Sequence, residues 1–202
     1  MEKSISRIFL LTLSLLLTAC ASKVVTSNPT ARKDGIDTFQ LARVDFDYAV
    51  KKSIDDFMLS PWLDAKKGER WVVQIGNVRN ETTQELDTRK LTQNLMRHMT
   101  RSGRFAFTSV GGSMADSSVK DYRQLDNSDL YDQDSGSKGK VLKPHLSMIG
   151  EIQQSTVISA DRSKQQLEYE FRLRVTDLGS GLIVFDSLVP IDKLGSNKNF
   201  TW

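Results

Sequence analysis

Leu167, Tyr169, Phe171, Leu173 and Val175 occupy every second position, with Glu168, Glu170, Arg172 and Arg174 between them. Side chains of an extended chain point alternately to opposite sides. The pattern therefore predicts a strand with one buried and one wetted face, as an antiparallel sheet accommodates. The stretch "DLGSGLIVFDSLV" adds a Gly-containing turn and a second apolar run, so Leu167–Leu188 is predicted to be a hairpin. "HLSMIGEI", with Leu146, Met148 and Ile152 alternating around Gly150, predicts a further strand. Upstream the period changes. Phe46, Ala49, Val50, Ile54, Phe57 and Met58 recur at helical spacing within Asp45–Leu59, and Pro61 marks the stop. "WVVQIGNV" (Trp71–Val78) is rich in β-branched and aromatic residues and predicts a strand, followed by turn residues Gly76, Asn77 and Asn80.

The segment "LDTRKLTQNLMRHMTRSG" has the strongest helical signature. Asp87 is placed to cap its amides, Leu86 and Leu91 have the spacing of a hydrophobic staple, and Leu91, Leu95 and Met99 share a face. Arg97 and Arg101 sit near its negative end and Gly103 just past it. Arg104–Val110 alternates into another strand, and residues 111–140, rich in Gly, Ser and Asp, predict a surface loop with a short helix around Met114–Leu125. Helix, strand, helix, strand, irregular segment and three strands make an α+β fold, with helices flanking a mixed, mainly antiparallel sheet. No internal repeat is apparent.

The first residues follow another logic. Lys3 and Arg7 precede an apolar run of about ten residues, Ile8–Leu17, too short for the roughly 17–25 residues a spanning helix needs. Residues 1–19 thus read as an export signal. Cys20, the one cysteine of the 202 residues, follows Leu17-Thr18-Ala19 directly. An ordinary secretory signal that happens to carry a cysteine is one reading. The sharper one is that Leu17–Cys20 resembles a bacterial lipoprotein box, in which the cysteine is diacylated on sulfur, the signal is cut before it, and the new amino group is acylated. Two or more acyl chains hold a protein firmly to a membrane, whereas one binds marginally. Ala21 after the cysteine implies, by the same resemblance, passage to the outer membrane. Residues 21–43 lack sustained periodicity and read as a tether, with an r.m.s. span of roughly 25 Å and a stretched limit of about 80 Å. Residues 44–202 are expected to form the globular domain.

Composition narrows function by exclusion. The formal charge is +3, and removal of Lys3, Arg7 and Glu2 with the signal leaves it near neutral. Basic residues form no block, which gives no reason to invoke nucleic acid. His98 and His145 belong to no metal-binding spacing, and neither a nucleophile elbow nor a phosphate-cradling loop is present. Asp55-Asp56 reads as the wet side of a helix, and Glu168 and Glu170 with Arg172 and Arg174 as a solvated charge ladder. No catalytic residue, metal site or cofactor is predicted, so the chain does not read as an enzyme. The segment holding Asn77, Arg79, Asn80 and Thr82, between a strand and a helix, offers several donors and acceptors and is the candidate for partner binding. The competing reading is that Asn77 and Asn80 make side-chain turns.

The ordered combination "VVQIGNVRNETTQELDTRKLTQNLMRHMTRSGRFAFTSV" resembles the LpoB family, outer-membrane lipoproteins that activate a bifunctional (class A) penicillin-binding protein. The matching features are the Asn77–Thr82 loop, the Leu91–Met99 helix face, the Ser102-Gly103-Arg104-Phe105 exit and the proline-then-strand segment Gly139–Ile152. The terminal hairpin agrees too, and the resemblance covers roughly residues 44–190. It implies a small domain similar to the amino-terminal domain of TolB and a regulatory, non-catalytic role. It also implies a peptidoglycan synthase as partner, and a lipid-anchored location on the periplasmic side of the outer membrane. Enteric members carry a long proline-rich tether, whereas residues 21–43 hold Pro29 alone, so the expected reach is shorter. An envelope assembly or secretion lipoprotein with a similar domain is the alternative, although little chain remains for barrel strands.

Overall fold

The computed structural model describes residues 24–33, 38–65, 69–113, 115–119, 121 and 142–196. In chain order these form β1 (Val25–Thr26), α1 (Pro29–Lys33), α2 (Arg43–Met58) and a 3₁₀ turn at Pro61–Ala65. There follow β2 (Trp71–Ile75), β3 (Arg79–Glu81), α3 (Thr88–Arg101), β4 (Phe105–Phe107), β5 (Leu146–Ile158), β6 (Lys164–Asp177) and β7 (Ile183–Ser196). One sheet runs β1-β7-β6-β5-β2-β4, with β3 paired to β5. The β5-β6-β7-β1 part is antiparallel, and β2 and β3 join it parallel. The α+β class and the mixed, mainly antiparallel sheet follow as expected.

The alternation read in Leu167–Val175 sets the two faces. These five side chains are buried on the inner face with Leu146, Met148 and Ile152 of β5 and Val189 and Ile191 of β7. Helix α2 lies over that face: Phe46 meets Phe171 edge-on at 5.3 Å, and Phe57 stacks on Phe105 at 5.6 Å. Aromatic pairs at such distances add to what burial already contributes. Gly150 permits the close packing. A Cβ there would stand 3.0 Å from Val78 Cγ2 and 3.2 Å from Phe171 Cε2.

Local signals hold at α3, where Asp87 accepts from the Lys90 amide at 3.0 Å as the predicted N-cap. Leu86 and Leu91 both pack against the core. Elsewhere the boundaries move. The predicted Trp71–Val78 strand ends at Ile75 and a second short strand, β3, begins at Arg79. Of the helix expected around Met114–Leu125, residues 117–119 and 121 are helical, while 114, 120 and 122–125 lie outside the described residues, as do residues 1–23.

The tether reading of residues 21–43 needs correction within its described part. Val25 and Thr26 pair with Leu194 and Lys193 of β7, and the Ser27 amide donates to Asp192 O at 3.0 Å. Asn28 and Ala31 are fully buried, and Phe39 packs against the core. A buried cluster clamps the segment. The Asp45 carboxylate accepts from Lys193 Nζ at 2.6 Å, Asn28 Nδ2 at 2.7 Å and the Ala42 amide at 2.9 Å. This segment shows no periodicity because each anchor is a separate contact rather than one face of a repeating element.

Candidate functional site

The wet face of the hairpin and the segment between β2 and α3 meet in a shallow cleft of about 450 Å³, lined by Gly76, Asn77, Arg79, Ile149, Glu151, Arg172 and Arg174. Register places these residues together: Arg79 stands beside Glu151, Glu151 beside Arg172, and Ile149 beside Arg174. Arg79 pairs with the Glu151 carboxylate. Arg172 holds Asp186 through both guanidinium arms, at 2.7 and 2.5 Å. Arg174 Nε, 3.6 Å from Asp186, is buried without a hydrogen-bond partner. Three guanidiniums thus face two carboxylates, leaving the cleft positive.

Titration directions agree with this geometry. The Gln153 side chain, then Arg79 and Arg172, hold the Glu151 carboxyl below its ordinary value. Arg172 does the same for Asp186. Farther along the same face Asp192 moves the other way, raised by partial burial and by Glu168.

The four sequence candidates separate into two kinds. Asn77 and Arg79 line the cleft with exposed side chains. Asn80 and Thr82 build the loop. Asn80 Nδ2 donates to Gln84 O at 2.8 Å, while its Oδ1 accepts from the Thr82 hydroxyl at 2.7 Å and amide at 3.1 Å. The side-chain-turn reading therefore holds for Asn80. Two further ties position the loop: the Val78 amide donates to buried Thr92 Oγ1 of α3 at 2.9 Å, and the Gln84 side chain brackets the Leu41 backbone. Cys20 lies outside the described residues.

Sequence reading did not single out Ile149, Glu151, Asp186, Arg172 or Arg174 as part of the site, and read the two arginines as rungs of a solvated charge ladder. Their alternation was legible, but which strand neighbours which, and in what register, was not. His145 serves the fold, its Nδ1 accepting from the Val72 amide at 3.1 Å. No group of three or more His, Cys, Asp or Glu able to hold a metal occurs among the described residues. The cleft offers charged and hydrogen-bonding groups over a lining that is mostly apolar, which suits recognition.

A family model described as the peptidoglycan-synthase activator LpoB matches residues 45–191. The chain belongs to the LpoB family. Among solved structures, the LpoB C-terminal domain from Salmonella enterica is 14% identical, with a TM-score of 0.40 and coverage of 72% of this chain and 97% of that one. The LpoB C-terminal domain from Escherichia coli is also 14% identical, with a TM-score of 0.37 and coverage of 75% and 97%. A lipoprotein from Neisseria meningitidis is 7% identical, with a TM-score of 0.37 and coverage of 65% and 87%. Comparison with curated proteins gives no match. LpoB membership implies a regulator of peptidoglycan synthesis rather than a catalyst.

Proposed function

We propose that this LpoB-family chain is a lipoprotein, acylated at Cys20 and held on the periplasmic side of the outer membrane, that binds and activates a class A penicillin-binding protein. The observation that carries the reading is the family match across residues 45–191. The short apolar run before Leu17-Thr18-Ala19-Cys20 supports the anchor. No helix among the described residues is long and apolar enough to cross a membrane. The partner meets the cleft at Asn77, Arg79, Arg172 and Arg174, where a patch with more guanidiniums than carboxylates steers an acidic surface and fixes its register.

Binding of the mature lipoprotein to the class A synthases of its own organism tests this reading. The Arg79→Glu and Arg172→Glu variants are expected to weaken the complex at least about tenfold, the equivalent of ~1.4 kcal/mol, while remaining folded. Undiminished binding by both would remove the cleft from the interface. The Cys20→Ala variant is expected to leave the outer-membrane fraction. Its continued presence there, cut after Ala19, would overturn the lipid anchor.

A further inference from the structure

We propose that the β1 end of the sheet is a membrane-facing surface that rests on the phospholipid leaflet carrying the anchor and holds the arginine-lined cleft away from it. The inference rests on acylation at Cys20. Three residues separate Cys20 from Val24, the first described residue, and Val24 is already buried in the core. Four residue steps span at most about 14 Å. With β1 docked on β7, the end of the sheet where Val25 enters is held within that distance of the lipid.

That end carries the appropriate surface. Val157, Gln166, Leu194 and Val25 form one row across β5, β6, β7 and β1 on the outer face. Val157 is 50% exposed, Leu194 40% and Val25 52%, and Ile158 at the strand end is 53% exposed. Val157, Leu194 and Val25 form a small apolar tip at one end of a face whose middle carries Glu168, Glu170 and Asp192, and Ile158, in the next row with Gln165 and Gly195, extends that tip from the opposite face at the strand end. The adjoining turn bears Arg162 and Lys164 beside Asp161, whose carboxyl is lowered to about 2 by Ser159 and Ser163. Shallow insertion of aliphatic groups with charges at headgroup level is the mode of interfacial binding. The acyl chains supply the anchoring, and the tip sets orientation.

The direction of β6 then places the cleft. Arg172 and Arg174 lie six and eight positions beyond Gln166, or roughly 20–27 Å at ~3.3 Å per residue. The partner surface therefore points into the periplasm. The turn after Asp177, with exposed Leu182, stands farthest from the lipid.

The test uses the full mature lipoprotein, reconstituted in vesicles of phosphatidylethanolamine and phosphatidylglycerol with brominated acyl chains. With the Cys20 thiol in thioether linkage, a Val157→Cys, Ile158→Cys or Leu182→Cys variant has one free thiol for an environment-sensitive fluorophore. The proposal expects the probes at 157 and 158 to be quenched at least about twofold, the consequence of shallow insertion, and the probe at 182 to be unaffected. Equal quenching at all three, or at none, with an intact mass that shows acylation, overturns the orientation and leaves the lipoprotein reading standing. An intact mass without acyl chains at Cys20 overturns both.

Discussion

Lys193→Ala is the sharpest perturbation available, because it removes one half of a pair whose side chains are both 0% exposed. Asp45 would keep two neutral donors, Asn28 Nδ2 and the Ala42 amide, and lose the ammonium group 2.6 Å away. An unpaired charge in a dry site costs about 3–5 kcal/mol when its partner is deleted. Domains of this size have roughly 5–15 kcal/mol of total stability, so about a fifth or more would disappear. At about 2–4 °C per kcal/mol for 150–250 residues, the midpoint should fall by roughly 6–20 °C. Urea and thermal unfolding of the chain from Ala21 onward provide the assay. The Asp45→Asn/Lys193→Met double variant should recover part of the loss, since no buried charge is then left alone; a double-mutant cycle isolates the coupling. A loss below about 1 kcal/mol, the range of exposed pairs, would rule out an unrelieved charge at Asp45. It would mean that water reaches the pair and that the segment around Asn28 does not cover it.

Three other outcomes follow from the same structure. Gly195→Ala places a Cβ 2.4 Å from Phe39 Cζ and 3.2 Å from Val24 Cγ2, so it should cost about 1–3 kcal/mol as overpacking, measured by urea unfolding. Phe171→Asp buries a charge against Phe46 and should unfold the domain. Arg172→Asp lies on the wet face and should leave the circular dichroism spectrum native; equal damage by both would mean that the faces are misassigned. The carboxyls of Glu151 and Asp186 are lowered in the folded state, so their stabilisation is present at neutral pH. It is lost as pH falls through their folded values, below the ordinary carboxylate range. The acid side of the stability profile should therefore flatten in Arg172→Ala.

Much of the fold was legible because its signals are periodic or local. The β6 alternation, the α2 face and the Asp87 cap each announce themselves within a dozen residues. β1 and α1 did not, because Thr26, Asn28 and Ala31 gain their partners on β7 and α2, more than ten residues away in sequence. A burial pattern set by such distant contacts leaves no period to read. The candidate site divided for a similar reason. Asn80 and Thr82 are polar residues in a turn, and sequence cannot distinguish side chains that build a loop from those the loop presents. Arg79 and Arg172 became one patch only through the register of β3, β5 and β6.

The purified mature lipoprotein is added to a class A penicillin-binding protein of the same organism, and glycan-chain polymerisation and peptide cross-linking are followed. The lipoprotein alone is expected to do neither, to raise the synthase's rate of at least one of them when added, and to lose that effect in Arg79→Glu while remaining folded. Binding to none of the organism's class A synthases, with their rates unchanged, would contradict activation by this chain.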